Sequence, residues 1–234
     1  MTRGGLTRRR VLASLGAAGL ASVGGLALAT KDAVVVAQTM DVQSDFDLQA
    51  DWRETYNGMA IEDTTDSSIS ETTEGPIISL RDVYPGDNGV LSFELSEVSE
   101  NEISVEPELG LSVTDRPENG HTEPEEEAGD TTAPGELQEY LQVALWYDSG
   151  IGNIDLFGGQ NGVQDIGEGL IDPDAEGTLA EVADAINGVS LGCLAPGESV
   201  TVSFGWAFES DQENINVTQG DGVDFDFDFT VQQC

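Results

Sequence analysis

The sequence predicts an all-β protein, an antiparallel β-sandwich with one or two short helices and long acidic loops. Two observations lead there. Apolar and polar residues alternate at period two in segment after segment, the spacing that turns one side of a strand to a core and the other to water. These segments are short, are separated by Gly, Pro and Asn turns, and show none of the regular strand and helix alternation of an α/β chain.

The last segment is the clearest. Val223, Phe225, Phe227, Phe229 and Val231 alternate with Asp224, Asp226, Asp228 and Thr230, so one face is core and the other carboxylate. The same pattern predicts strands over 46–52, 90–98, 103–113, 141–147 and 200–208. Two of them start alike, from Tyr84-Pro85-Gly86-Asp87 and from Ala195-Pro196-Gly197-Glu198. Proline presets φ for a turn, and glycine accepts the positive φ that follows.

One helix is expected at 178–188. Thr178 and Glu181 form a capping box, Leu179, Val182, Ala183 and Ile186 make one apolar face, and Gly188 stands where the helix should end. It should cap an open end of the sandwich. A shorter helical turn is expected around Glu136 to Tyr140. The acidic stretches 57–74 and 115–135 are expected to be loops too poor in apolar area to order themselves, and 149–176, rich in Gly, Asn and Asp, a long structured loop.

Residues 1–29 read as a cleavable export signal. Arg3, Arg8, Arg9 and Arg10 precede a small and apolar run from Val11 to Leu28, and Ala27-Leu28-Ala29 predicts cleavage between Ala29 and Thr30. Thr7-Arg8-Arg9-Arg10-Val11-Leu12 fits a twin-arginine motif. Localisation outside the cytoplasm, at the cell surface or beyond, is therefore expected, with no stable membrane insertion after cleavage.

Removal of the signal leaves 4 basic residues against 45 acidic ones, a formal −41. Such self-repulsion opposes a compact fold in dilute buffer and fades as the Debye length falls to roughly 3 Å near 1 M salt. The composition suits a high-salt medium and repels nucleic acid and anionic lipid. The remaining chain suits one domain, 45–234, preceded by an N-terminal segment, 30–44.

Few residues suggest chemistry. His121 is the sole histidine, so neither a zinc HExxH site nor a Ser-His-Asp triad can be assembled. Asp148-Ser149-Gly150 resembles half of an aspartic-protease site, but no second Asp-Ser/Thr-Gly exists. Asp172, Asp174 and Glu176, with Gly177 after them, resemble the start of a calcium loop, although Pro173 and the missing acid at position twelve depart from it. In a chain this acidic, such triplets also arise by chance. Calcium is the sole cofactor suggested. Cys193 and Cys234 are expected to pair in an oxidising compartment. Asn216-Val217-Thr218 is a glycosylation acceptor sequence in a polar loop.

The run Ala33-Val34-Val35-Val36-Ala37-Gln38 is strongly strand-forming and apolar on both faces. A strand of that kind must be covered by its own sheet or by another molecule's. The plainer expectation is a first strand in its own domain; the functional one is a strand donated to a neighbouring subunit, building a head-to-tail homopolymer.

Several stretches together resemble the TasA/camelysin family, and more specifically its halophilic archaeal members with a SipW-type signal. They are Leu6 to Gly16; Phe46-Asp47-Leu48-Gln49-Ala50-Asp51-Trp52 with Tyr56-Asn57-Gly58; Ile78 to Asp87; Glu118-Asn119-Gly120 with Thr122-Glu123-Pro124; Val143 to Asp148; and Phe225 to Cys234. The resemblance implies a jelly-roll sandwich secreted to the cell surface, where relatives form matrix fibres or bundling pili by N-terminal donor-strand exchange. Some relatives are classed as metallopeptidases, a label for which this sequence offers no zinc motif. The start Lys31-Asp32-Ala33-Val34-Val35-Val36 departs from the aromatic and Ser-Asp run usual in the family. The expected function is a non-enzymatic filament, pilus or biofilm-matrix subunit. The alternatives are a monomeric, calcium-stabilised surface-binding module and a secreted hydrolase.

Overall fold

The computed structural model describes residues 40–41, 48–60, 77–81, 83–98, 103–118, 120–148, 162–165 and 167–234. The strands are β1 (Met40–Asp41), β2 (Leu48–Tyr56), β3 (Met59–Ala60), β4 (Ile77–Leu80), β5 (Asn88–Glu97), β6 (Val105–Asp115), β7 (Leu141–Tyr147), β8 (Glu176–Thr178), β9 (Val189–Ser190), β10 (Ser199–Phe208) and β11 (Val223–Gln233). They build two sheets, in a jelly-roll-like sandwich. One has the order β1-β11-β6-β9, with β4 also on β11; the other runs β3-β2-β5-β10-β7-β8. Every pairing is antiparallel except the short parallel one between β1 and β11.

Period-two alternation places the core. Phe225, Phe227 and Phe229 of β11 are fully buried and meet rings from the opposite sheet. Phe93 of β5 lies edge-on to Phe227 and Phe229 at centroid distances of 5.0 and 5.4 Å, and Phe204 of β10 meets Phe227 at 5.1 Å. Edge-to-face pairs of this kind add roughly 0.5–1.5 kcal/mol each beyond area burial. Leu91, Leu95, Leu109, Leu111, Leu145 and Val202 continue the same layer.

Both Pro-Gly turns form as expected. The N–H of Asp87 donates to the Tyr84 carbonyl at 2.9 Å, and that of Glu198 to the Ala195 carbonyl at 2.8 Å, with Gly86 and Gly197 at φ 101° and 80°. Each closing acid also reaches back: Asp87 Oδ2 accepts from the Tyr84 N–H and Glu198 Oε2 from the Ala195 N–H, both at 2.9 Å.

Helix α2 (Leu179–Ala185) follows its Thr178 cap, with Leu179 and Val182 buried and the Glu181 carboxylate accepting from the Thr178 N–H at 3.0 Å. It packs on β6 and β7, one strand from each sheet, and so closes an opening between them. The helical turn expected at 136–140 is a 3-10 turn, Leu137–Glu139.

Two loop expectations need correction. Residues 57–60 do not start a loop: Asn57 and Gly58, at φ 49° and 73°, make a two-residue hairpin turn from β2 into β3. Asn-Gly supplies the left-handed conformations such a turn needs. The stretch 115–135 contains helix α1 (Glu123–Ala128), with Glu125 buried and Gly129 in the left-handed conformation at its end. It packs on the 3-10 turn Ile215–Thr218. Capping and this docking order a segment whose composition alone argued against it.

Candidate functional site

Two regions stand out, the outer edge of β11 and a knot of carboxylates just before that strand begins. Along β11 one edge is fully taken by β6. On the other, β4 pairs with Val223–Asp226 and β1 with Phe229 and Thr230. The N-terminal segment thus reaches the sandwich beside its last strand. The export signal 1–29, its cleavage point at Ala29 and Thr30, and the donor run Ala33 to Gln38 lie outside the described residues.

The other expected site residues are spread over the surface. Cys193 and Cys234 are disulfide-bonded, with Cα atoms 6.1 Å apart. Asn216 is exposed on the Ile215–Thr218 turn, whereas Thr218 is buried and its hydroxyl donates to the Ile215 carbonyl at 2.9 Å. Asp172, Asp174 and Glu176 do not bring three oxygens within 4.8 Å of one another. The Asp172 carboxylate instead accepts the Asp174 N–H at 2.9 Å, closing a turn, and Glu176 lies on β8 opposite Ala144.

Asp148 is wholly buried. Its Oδ2 accepts from Ser203 Oγ at 2.6 Å and from the Gly162 N–H at 2.8 Å, and Ser203 Oγ lies 2.6 Å from Ser92 Oγ. This chain of polar groups ties the segment after β7 to the outer face of β5 and β10. Of the half-motif, Asp148 therefore serves as a buried brace, while Ser149 and Gly150 lie outside the described residues.

The carboxylate knot is the densest chemical feature. Glu118 follows β6, Glu125 is on α1, and Asp221 stands two residues before β11; ligand oxygens of all three lie within 4.8 Å of one another. Glu125 is 0% and Asp221 2% exposed. Glu118, His121 and Asp130 form a second such group, sharing Glu118. The Thr122 N–H donates to Glu125 Oε2, and the Glu136 N–H to Asp221 Oδ2 at 2.6 Å. Glu118 Oε1 and Oε2, Glu125 Oε1, Asp130 Oδ2, Glu136 Oε2 and Asp221 Oδ1 are buried without a hydrogen-bond partner. His121 Nε2 lies 3.9 Å from Asp130 Oδ1, and the Arg81 guanidinium, beside Gly222, is paired with Asp224 Oδ2 at 2.7 Å.

Burial, followed by the charges of Glu118 and Glu136, pushes Asp221 up to about 7 despite the hydrogen bond from the Glu136 N–H. Glu136 is raised as well, by burial first and then by Asp130, Glu118 and Glu139. The Asp221 carboxyl thus stands with oxygens of Glu118 and Glu125 within 4.8 Å. Ionised carboxylates only accept, so such approaches need a shared proton or a shared cation. Glycine makes room for the knot, because a Cβ on Gly135 would lie 2.8 Å from Asp221 Cγ.

Sequence reasoning missed this knot. Thr122-x-x-Glu125 with Pro124 is a helix-start signature that could have revealed α1. No short-range signal connects Glu118 and Glu125 to Asp221, about a hundred positions away. No protein-family model matches this chain, and no curated protein matches it either.

Proposed function

We propose that this protein is a secreted, cell-surface structural subunit that polymerises head to tail by donating the strand Ala33 to Gln38 to a second copy. The resemblance to the TasA/camelysin family supports this reading, as do the export signal and the acidity suited to molar salt.

The observation that carries it is the register at the outer edge of β11. Met40 pairs with Phe229 and Asp41 with Thr230, in parallel. Carried back along the same register, Val34 to Ala37 would fall opposite Val223 to Asp226, the residues that β4 already holds. On that register the edge opposite the donor run is already taken by β4. A strand apolar on both faces needs a sheet elsewhere, and a neighbouring copy supplies one. Among the described residues, the outer edge of β2 from Leu48 to Arg53 has no strand beside it, since β3 reaches only Thr55 and Tyr56. That edge is long enough for the six-residue run.

Negative-stain electron microscopy of the mature protein in molar salt tests the proposal. Fibres are expected from the intact chain and none from a chain lacking Asp32 to Gln38. Fibres from the deletion variant, or none from the intact protein at any salt concentration, would overturn it.

A further inference from the structure

We infer that Glu118, Glu125 and Asp221 form a calcium site that fastens helix α1 and the start of β11 to the end of β6. The inference is independent of polymerisation.

Burying an ion costs several kcal/mol unless charge and hydrogen bonds compensate, and removing one partner of such an arrangement is strongly destabilising. Here several acids converge, yet Glu125 Oε1 and Asp221 Oδ1, on side chains 0% and 2% exposed, have no donor at all. Both belong to the group of three whose oxygens lie within 4.8 Å of one another. Backbone N–H groups hold one oxygen of Glu125 and one of Asp221, leaving the other of each for a ligand. When these carboxyls are ionised the unpartnered atoms are all acceptors, so a ligand that they hold is cationic.

The donor set selects the cation. Calcium takes 6–8 oxygens at roughly 2.3–2.6 Å, so two oxygens on one ion stand up to roughly 5 Å apart, and its geometry is permissive. Magnesium needs near-octahedral bonds of roughly 2.0–2.1 Å, and zinc prefers nitrogen or sulfur. Among the described residues, the one histidine nearby, His121, belongs to the adjoining group with Asp130, and its side chain is 26% exposed. Three carboxylates, with Glu136 and Asp130 behind them, give a hard, all-oxygen, strongly anionic pocket. Molar monovalent salt screens exposed charges strongly but a buried site much less, so calcium remains able to act there.

Binding would add a direct link between three segments that strand pairing and helix docking already bring together. Glu118 lies at the end of β6, Glu125 is carried by α1, and Asp221 precedes β11, beside the Gly222 N–H that donates to the Pro117 carbonyl at 2.9 Å.

Thermal melting of the purified protein in molar KCl, with CaCl2 or with a chelator, tests the site, and calorimetry measures binding directly. At a hundredfold excess over Kd, calcium should raise Tm by about 5–10 °C. Asp221→Asn and Glu125→Gln should lose that shift and at least tenfold in calcium affinity, while Asp172→Asn, in the surface turn, should keep both. Both site variants relieve repulsion between carboxylates, so they are expected to fold in chelator. A Tm unmoved by calcium in the wild type, or an equal shift in wild type and both site variants, overturns the inference. So does a shift produced by ZnCl2 but not by CaCl2, and lost in His121→Ala.

Discussion

Gly135 leaves the space that the Asp221 carboxylate fills: a Cβ on residue 135 would stand 2.8 Å from Asp221 Cγ and 2.9 Å from Oδ1. Asp221 also accepts the Glu136 N–H, so it cannot retreat without losing that bond. Gly135→Ala should therefore destabilise the protein by about 1–3 kcal/mol, as overpacking commonly does. Denaturant unfolding reads the change, and an unaltered midpoint would mean that the contact relaxes freely.

The carboxylate knot also sets a direction for pH dependence. Asp221 is raised from 3.8 to about 7 in the folded state, so between those values the native protein holds a proton that the unfolded chain has lost. Stability must then fall as pH rises through this window, and the loss is complete above the folded value. Burial is the chief cause, with the charges of Glu118 and Glu136 behind it; Glu136, itself raised, adds in the same direction. In chelator, Asp221→Asn should melt near the wild-type temperature at about pH 4 and clearly above it at about pH 8. A constant gap across that range would contradict the assignment.

The disulfide closes a loop of sequence separation 41, from the segment before β10 to the residue after β11. Loop-closure entropy gives such a link roughly 4 kcal/mol. The Cys234 N–H also donates to the Ser104 carbonyl at 3.1 Å, so the chain end is aligned beside β6 with or without the bond. The double variant Cys193→Ser with Cys234→Ser should thus fold in molar salt but unfold at lower denaturant, by an amount corresponding to about 2–5 kcal/mol.

In the core, Phe227 touches rings on both β5 and β10, bridging Phe93 and Phe204. Phe227→Ala should cost about 3–5 kcal/mol in chemical denaturation, with little change in the slope against denaturant. Val231→Ala, nearer the end of β11 and 5% exposed, should cost less.

Much of this architecture was legible in the sequence because period two specifies which side chains share a face. The strand Leu141–Tyr147 has the predicted limits, and the limits of the strands ending at Phe208 and beginning at Val223 shift by only one or two residues. Helix α2 was legible for a similar reason, since the Thr178 and Glu181 cap is a local contact. Helix α1 carried a comparable signature, but the surrounding acids made the stretch look like a loop. Its stability comes from docking on the Ile215–Thr218 turn, a partner far away in the chain.

The sequence by itself determined the class of fold, the faces of the main strands, and the two Pro-Gly turns that start β5 and β10. Only the tertiary structure decided which strands are neighbours, that Asp148 is a buried brace, and that Glu118, Glu125 and Asp221 meet while Asp172, Asp174 and Glu176 do not. The physical reason is range. Alternation and capping act over a few residues and can be read along the chain, whereas convergence of carboxylates from three segments depends on sheet register and loop docking. In a chain with 45 acidic residues, composition gives no means of telling which few are taken out of water.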